Sequence, residues 1–206
     1  MTQKNKMITL FSVLGGLIIL AGICGLLVYG VYYKQDDSTP TRVVAKVFNL
    51  PVAKVGQTAI SYGEFLSVRD AIKKFTASDA GKQVQAVLPS DKELNQNILE
   101  RLIRQELIKK LADQQKVSIT NEDINSIFQD VVKVAASSTT PDVSQYLLTN
   151  YGWNENDFRE QVLRPALLEQ KLAVTMAQGD QTNQTAMDDE LAAMRAKPDV
   201  VVYLKY

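Results

Sequence analysis

The stretch from Met7 to Tyr33, MITLFSVLGGLIILAGICGLLVYGVYY, contains no charged residue, and this constrains the chain more than any other feature. At about 1.5 Å rise per residue, roughly 20 helical residues cross the hydrocarbon core of a bilayer, so the run is long enough to span one even when tilted. Lys4 and Lys6 precede it, whereas Lys34 after it is offset by Asp36 and Asp37. The basic flank places residues 1–6 in the cytoplasm and everything beyond the span outside, a single-pass protein of the cytoplasmic (inner) membrane. Tyr29, Tyr32 and Tyr33 suit the outer interface.

A cleaved signal peptide has an apolar core of about 7–15 residues followed by small residues at a cut, whereas this run continues to Tyr33 without an A-x-A site. Leu20-Ala21-Gly22-Ile23-Cys24 faintly resembles a lipobox, but Ile23 is too large and the apolar run continues past Cys24. Cys24 is therefore expected to act as a small apolar residue. Gly15, Gly16, Gly22 and Gly25 allow close helix pairing, and with it a homodimer.

The rest of the chain has the length and composition of one globular domain. Taking Lys4 and Lys6 from the balanced totals of 23 basic and 23 acidic residues leaves the outer part nearly neutral, so nothing points to nucleic acid. Cys24 is the sole cysteine, so no disulfide forms in the outer domain. Histidine is absent, which removes His-based triads, His-ligated zinc and imidazole general bases. No Walker loop, GxGxxG or GxSxG is present, and no catalytic residue, metal site or cofactor is expected.

The outer part is expected to be mainly α with a small β-sheet. Residues 34–42 read as a polar linker and 43–206 as the domain. Strands are expected over about 43–60, as Val43–Phe48, Val52–Val55 and Thr58–Ile60, with Gly56-Gln57 as a type II′ turn. Helices are expected over about 62–77, 91–115, 121–135, 142–149, 155–178 and 186–196. Capping boxes with hydrophobic staples mark four starts: Ser61 with Glu64, Ser90 with Glu93, Thr120 with Asp123, and Asn154 with Asp157. On the long helix from Ser90, the pairs Glu100/Arg104 and Glu106/Lys110 read as a solvated face. Pro165 predicts a kink near 161–165, and Gly179 a helix end. The apolar residues 199–205 read as a strand that joins the N-terminal strands.

The order and spacing of four stretches carry a resemblance. They are VAKVGQTAISYGEF (52–65), NILERLIRQEL (97–107), VSITNEDI (117–124) and YGWNENDFREQ (151–161). Together they resemble the N-terminal region of the SurA, PrsA and PpiD group of extracytoplasmic folding factors. The resemblance implies a helical chaperone domain that binds unfolded or nascent exported polypeptides. That group usually carries a parvulin isomerase domain as well; the strand at 200–206, all that follows the last expected helix, is too short for one, and parvulin sites commonly use histidines, which this sequence lacks. The expected function is therefore chaperone binding without catalysis. The alternatives are a membrane-tethered scaffold for a dedicated partner, or an isomerase-family member that is inactive or works with a partner chain.

Tyr146, Tyr151, Trp153 and Phe158 cluster around one helix joint and are the kind of group that grips extended peptides. Trp153 and Phe158 also have a structural explanation as a staple across Asn154. Met176, Met187 and Met194 offer an adaptable apolar surface for peptide, or equally the contents of a small core.

Overall fold

One long helix organises the domain. The computed structural model describes residues 22, 25–34, 38–137, 142–177 and 185–205. Its helices are α1 (Thr39–Val47), α2 (Tyr62–Ala77), α3 (Asp79–Gln83), α4 (Asp91–Gln114), α5 (Asn121–Ala136), α6 (Val143–Tyr151), α7 (Glu155–Phe158), α8 (Arg164–Ala177) and α9 (Ala186–Arg195). Three strands, β1 (Pro51–Val55), β2 (Thr58–Ser61) and β3 (Val200–Val202), complete it.

In α4, both the Leu94–Ile98–Leu102 row and the Leu99–Ile103–Leu107 row are buried, because the helix has neighbours on several sides. It packs against α2, α8, α9 and β1. Each such aliphatic side chain removed from water contributes about 1.5–3 kcal/mol, so α4 supplies much of the core's stabilisation. Capping boxes with both reciprocal bonds start α4 at Ser90, α5 at Thr120 and α7 at Asn154, as their spacing predicts. At Ser61 only half the device forms: its hydroxyl accepts from the Glu64 N–H, and no return bond comes from the Glu64 carboxylate. Burial raises the Glu64 pKa, opposed by the charge of Lys109 and reinforced by Glu106.

The sheet is antiparallel in the order β2-β1-β3. Val55 pairs with Thr58 across the turn made by Gly56, at φ +60°, and Gln57. Ala53, Lys54 and Val55 pair with Val202, Val201 and Val200, so the C-terminal strand closes on the N-terminal one.

Val43–Phe48 is not a strand. Thr39–Val47 is helical, with Ser38 before it, Pro40 in its first turn, and Thr41 and Ala45 buried one turn apart. The Arg42 guanidinium grips the Asp70 carboxylate on α2 with two hydrogen bonds, of 2.5 and 3.1 Å. The β-branched valines favour a strand only weakly, and this packing overrides them. Residues 38–42, expected as linker, are thus the cap and first turn of α1.

The chain just before α1 is also part of the domain. Gly30–Lys34 forms a turn of π-helix in which Val31 is fully buried in the main core. The Tyr32 ring lies 6.3 Å from that of Tyr203, and the Lys205 N–H donates to the Tyr32 carbonyl at 2.9 Å. Among the described residues no helix is long and apolar enough to cross a membrane. Most of the Met7–Tyr33 run, Cys24 included, lies outside the described residues, as does Gly179.

Two further features depart from the sequence expectation. The short α3 is set by Ser78, whose hydroxyl accepts from the Gly81 N–H, and by Gly81 itself, where a Cβ would fall 2.1 Å from the Phe75 carbonyl oxygen. The expected kink takes the form of a π-helical turn, Arg159–Leu163, in which the Arg164 N–H reaches back to the Arg159 carbonyl. Pro165 has no N–H to offer the Gln161 carbonyl four residues before it. That carbonyl is served from α4 by the Arg101 guanidinium at 3.1 Å.

Charges expected as a solvated face of α4 instead reach across the fold. Arg104 bonds Glu169 on α8 and Asp188 on α9, each at 2.8 Å. Glu100 pairs with Arg195 at 2.8 Å, and Lys110 with Asp199 at 2.9 Å. These bonds latch α9 and the approach to β3 onto α4.

Candidate functional site

The joint between α6 and α7 is built by local signals. The Asp142 carboxylate accepts from the Ser144 N–H at 2.7 Å and starts α6. Gly152, at φ +74°, ends it, a left-handed conformation that a side chain would strain. The Leu148 carbonyl at that end accepts from the Gly152 N–H at 3.1 Å and from the Lys74 ammonium of α2 at 2.7 Å. The chain then turns through Trp153 into the capped start of α7.

This turn stacks aromatic rings. Phe75 of α2 lies on Tyr151 with centroids 4.9 Å apart, Tyr151 lies on Trp153 at 5.7 Å, and Tyr146 meets Tyr151 at a tilt at 6.3 Å. Phe158 meets Phe128 of α5 at 6.4 Å. Stacks of this kind add about 0.5–1.5 kcal/mol per pair beyond the area they bury.

Between these rings and α5 lies an apolar cavity of about 320 Å³. Tyr146, Tyr151, Trp153 and Phe158 all line it, with Val131 and Ala135 of α5 opposite and Val162 of the π turn at one side. Trp153 is 8% exposed, and its indole N–H is buried without a hydrogen-bond partner. A buried indole N–H normally finds an acceptor, and leaving it unpaired costs about 1–3 kcal/mol. The cavity is lined almost wholly by apolar groups, so it suits a guest that brings an apolar side chain.

Ala135 and Val143 also line a second, more polar recess. Its wall holds Arg159, whose guanidinium carbon lies 3.9 Å from the centre of the Phe128 ring and which donates to Glu155 at 3.1 Å. Burial raises the Tyr151 pKa, with a smaller contribution from Tyr146, so the hydroxyl stays neutral in ordinary buffers. Among the described residues no cluster of side chains could hold a metal ion.

The structure thus brings the four aromatic candidates to one wall and places the methionines elsewhere. Met187 and Met194 are buried in the main core, and Met176 packs half-buried against it. Their uneven spacing reflects three contacts with one core and not a shared surface. Phe75, Val131 and Ala135 are site residues that the sequence reading did not single out. Val131 and Ala135 stand four apart on α5, a signal of a shared helical face that does not say which neighbour the face meets.

The family model described as SurA-like N-terminal domain matches residues 1–173. The chain belongs to this family. Its relatives are chaperone-type folding factors, and the match is to their N-terminal domain. No curated protein and no solved structure matches the chain. The four stretches that carry the resemblance lie within the matched part of the SurA-like domain. VAKVGQTAISYGEF forms the β1–β2 hairpin and enters α2, NILERLIRQEL is the middle of α4, VSITNEDI caps α5, and YGWNENDFREQ forms one wall of the aromatic cavity. α9 and β3 lie beyond the matched residues, yet β3 completes the sheet.

Proposed function

We propose that this SurA-like domain is a membrane-anchored extracytoplasmic chaperone module that binds extended apolar segments of unfolded or exported polypeptide without catalysis. The observation that carries the reading is the apolar cavity walled by Tyr146, Tyr151, Trp153 and Phe158. An aromatic or aliphatic side chain entering there is removed from water against the rings of the wall. Such contacts read apolarity more than sequence, which suits a binder of many clients. Met7–Tyr33 serves as the anchor and holds the module near emerging chains, raising the effective concentration.

The test is suppression of aggregation of a denatured client by the full chain in detergent micelles or nanodiscs. Protection is expected at modest excess, and Ala135→Phe, which fills the cavity from α5, is expected to remove it. Undiminished protection by that variant would move the binding site elsewhere, and no protection by the parent would refute the chaperone reading.

A further inference from the structure

Apolar side chains left uncovered gather at the N-terminal end of the domain. On α1, Thr41 and Ala45 turn inward. Two residues further along, a rotation of about 200° puts Val43 and Val47 on the opposite side. They are 54% and 71% exposed, and Phe48 beside them is 62% exposed. Just before, Tyr29 and Tyr33 are also exposed, with their rings stacked 4.8 Å apart. α1 carries Arg42 and Lys46 and no carboxylate.

The position of α1 says what covers this face. The domain is not on a loose leash, because Val31 is in its core and the Tyr32 carbonyl is bonded to Lys205. The end of the apolar Met7–Tyr33 run is thus fixed to the domain, and α1 packs against it. Even a fully extended chain from Tyr33 to Thr39 reaches at most roughly 20 Å, so α1 cannot leave the neighbourhood of a bilayer crossed by that run. A short helix with one apolar face, an aromatic at its end and cationic residues is the composition that lies in a lipid interface.

We propose that α1 is an interfacial helix whose Val43–Val47–Phe48 face rests in the headgroup region of the membrane and sets the tilt of the whole domain. This rests on reading Met7–Tyr33 as a span. In that pose Lys46 faces anionic headgroups, while Tyr29 and Tyr33 stand at the depth that amphipathic rings prefer.

The test uses the full chain with Cys24→Ser, which removes the sole cysteine. Single cysteines at Phe48→Cys, Leu148→Cys and Leu17→Cys carry an environment-sensitive nitrobenzoxadiazole label. The protein is reconstituted in phosphatidylcholine–phosphatidylglycerol vesicles with lipids brominated high on the acyl chain. The label at residue 48 is expected to emit to the blue and to lose most of its intensity to bromine. The label at residue 148, equally in the open on α6, is expected to keep its intensity. A label at 48 that behaves like that at 148, while 17 is quenched, overturns the interfacial helix and leaves the span standing. Unquenched label at 17 refutes the span, and the inference with it.

Discussion

The Phe75 ring of α2 lies 4.9 Å from the Tyr151 ring of α6, with planes only 6° from parallel. Lys74, the residue before Phe75, donates to the Leu148 carbonyl at the other side of the same joint. Two neighbouring residues of α2 thus fix the end of α6, and with it the wall of the cavity.

Replacing Phe75 by Ala is expected to cost about 1–3 kcal/mol, less than a fully buried aromatic because the ring is only half-covered. Urea denaturation measures the loss. Because Tyr151 loses the ring that holds it, the variant is also expected to bind peptide more weakly than its stability loss explains. Unchanged binding at a temperature where the variant is folded would show that the stack is structural only.

Arg101 and Pro165 are expected to be coupled. Arg101→Met leaves the Gln161 carbonyl without its donor and is expected to cost about 0.5–1.5 kcal/mol. In a Pro165→Ala background the restored backbone N–H takes over, and the same substitution is expected to cost almost nothing. A double-mutant cycle in denaturant gives the coupling, and strict additivity would disprove the assignment.

How far the sequence spoke depended on how local the signal was. Ser90, Thr120 and Asn154 start helices by bonds that close within four residues, so their boxes were readable as letters. Val43, Val44 and Val47 were not, because whether they make a strand or a helix depends on Arg42 reaching Asp70 and on Ala45 finding a place in the core. α3 gives no periodic signal, since it has only five residues, and the Ser78 cap alone marks it. Glu100 and Arg104 were paired with each other by spacing, yet each found a better-placed partner on another helix. The aromatic wall was legible as a cluster in sequence. The opposite wall was not, because the packing of α5 on the π-helical turn Arg159–Leu163 is a tertiary relation.

The latch from α4 to α9 is expected to matter more for local opening than for global stability. Its ion pairs are substantially exposed, so Arg104→Ala or Arg195→Ala alone is expected to cost under about 1 kcal/mol and to be partly masked by salt. Hydrogen exchange in α9 and β3 is expected to accelerate in the double variant while α4 stays protected. Uniform acceleration across the domain would mean that the C-terminal elements have no separate opening.

Opposing carboxylates shape the pH response. Hydrogen bonds from the Ser90 hydroxyl, then its backbone, lower the Glu93 pKa, and the Thr120 backbone bond, then its hydroxyl and the charge of Lys171, lower that of Asp123. Their contributions are present above the ordinary carboxylate range and are lost as the pH falls through the lowered values. Glu64 has the opposite sign: its raised pKa favours the folded state while protonated, and that advantage fades as the pH rises. Glu64→Gln is therefore expected to stabilise at neutral pH and to lose that benefit in acid. Glu93→Gln with Asp123→Asn is expected to flatten the acid limb. Thermal melts from below the ordinary carboxylate range up to neutral pH decide both, and a Glu64→Gln gain independent of pH would rule out the ionisation argument.

Trp153 is the only tryptophan in the chain and stands in the cavity wall, so its fluorescence reports directly on occupancy. The decisive measurement titrates the full chain in nanodiscs with an extended, aromatic-containing peptide bearing an acceptor-free label, following Trp153 emission and peptide anisotropy together. One saturable change is expected in both signals, with Trp153→Ala weakening the anisotropy isotherm by about tenfold or more through loss of the stacked ring in the cavity wall. Peptide binding by anisotropy that leaves Trp153 emission unchanged would contradict it.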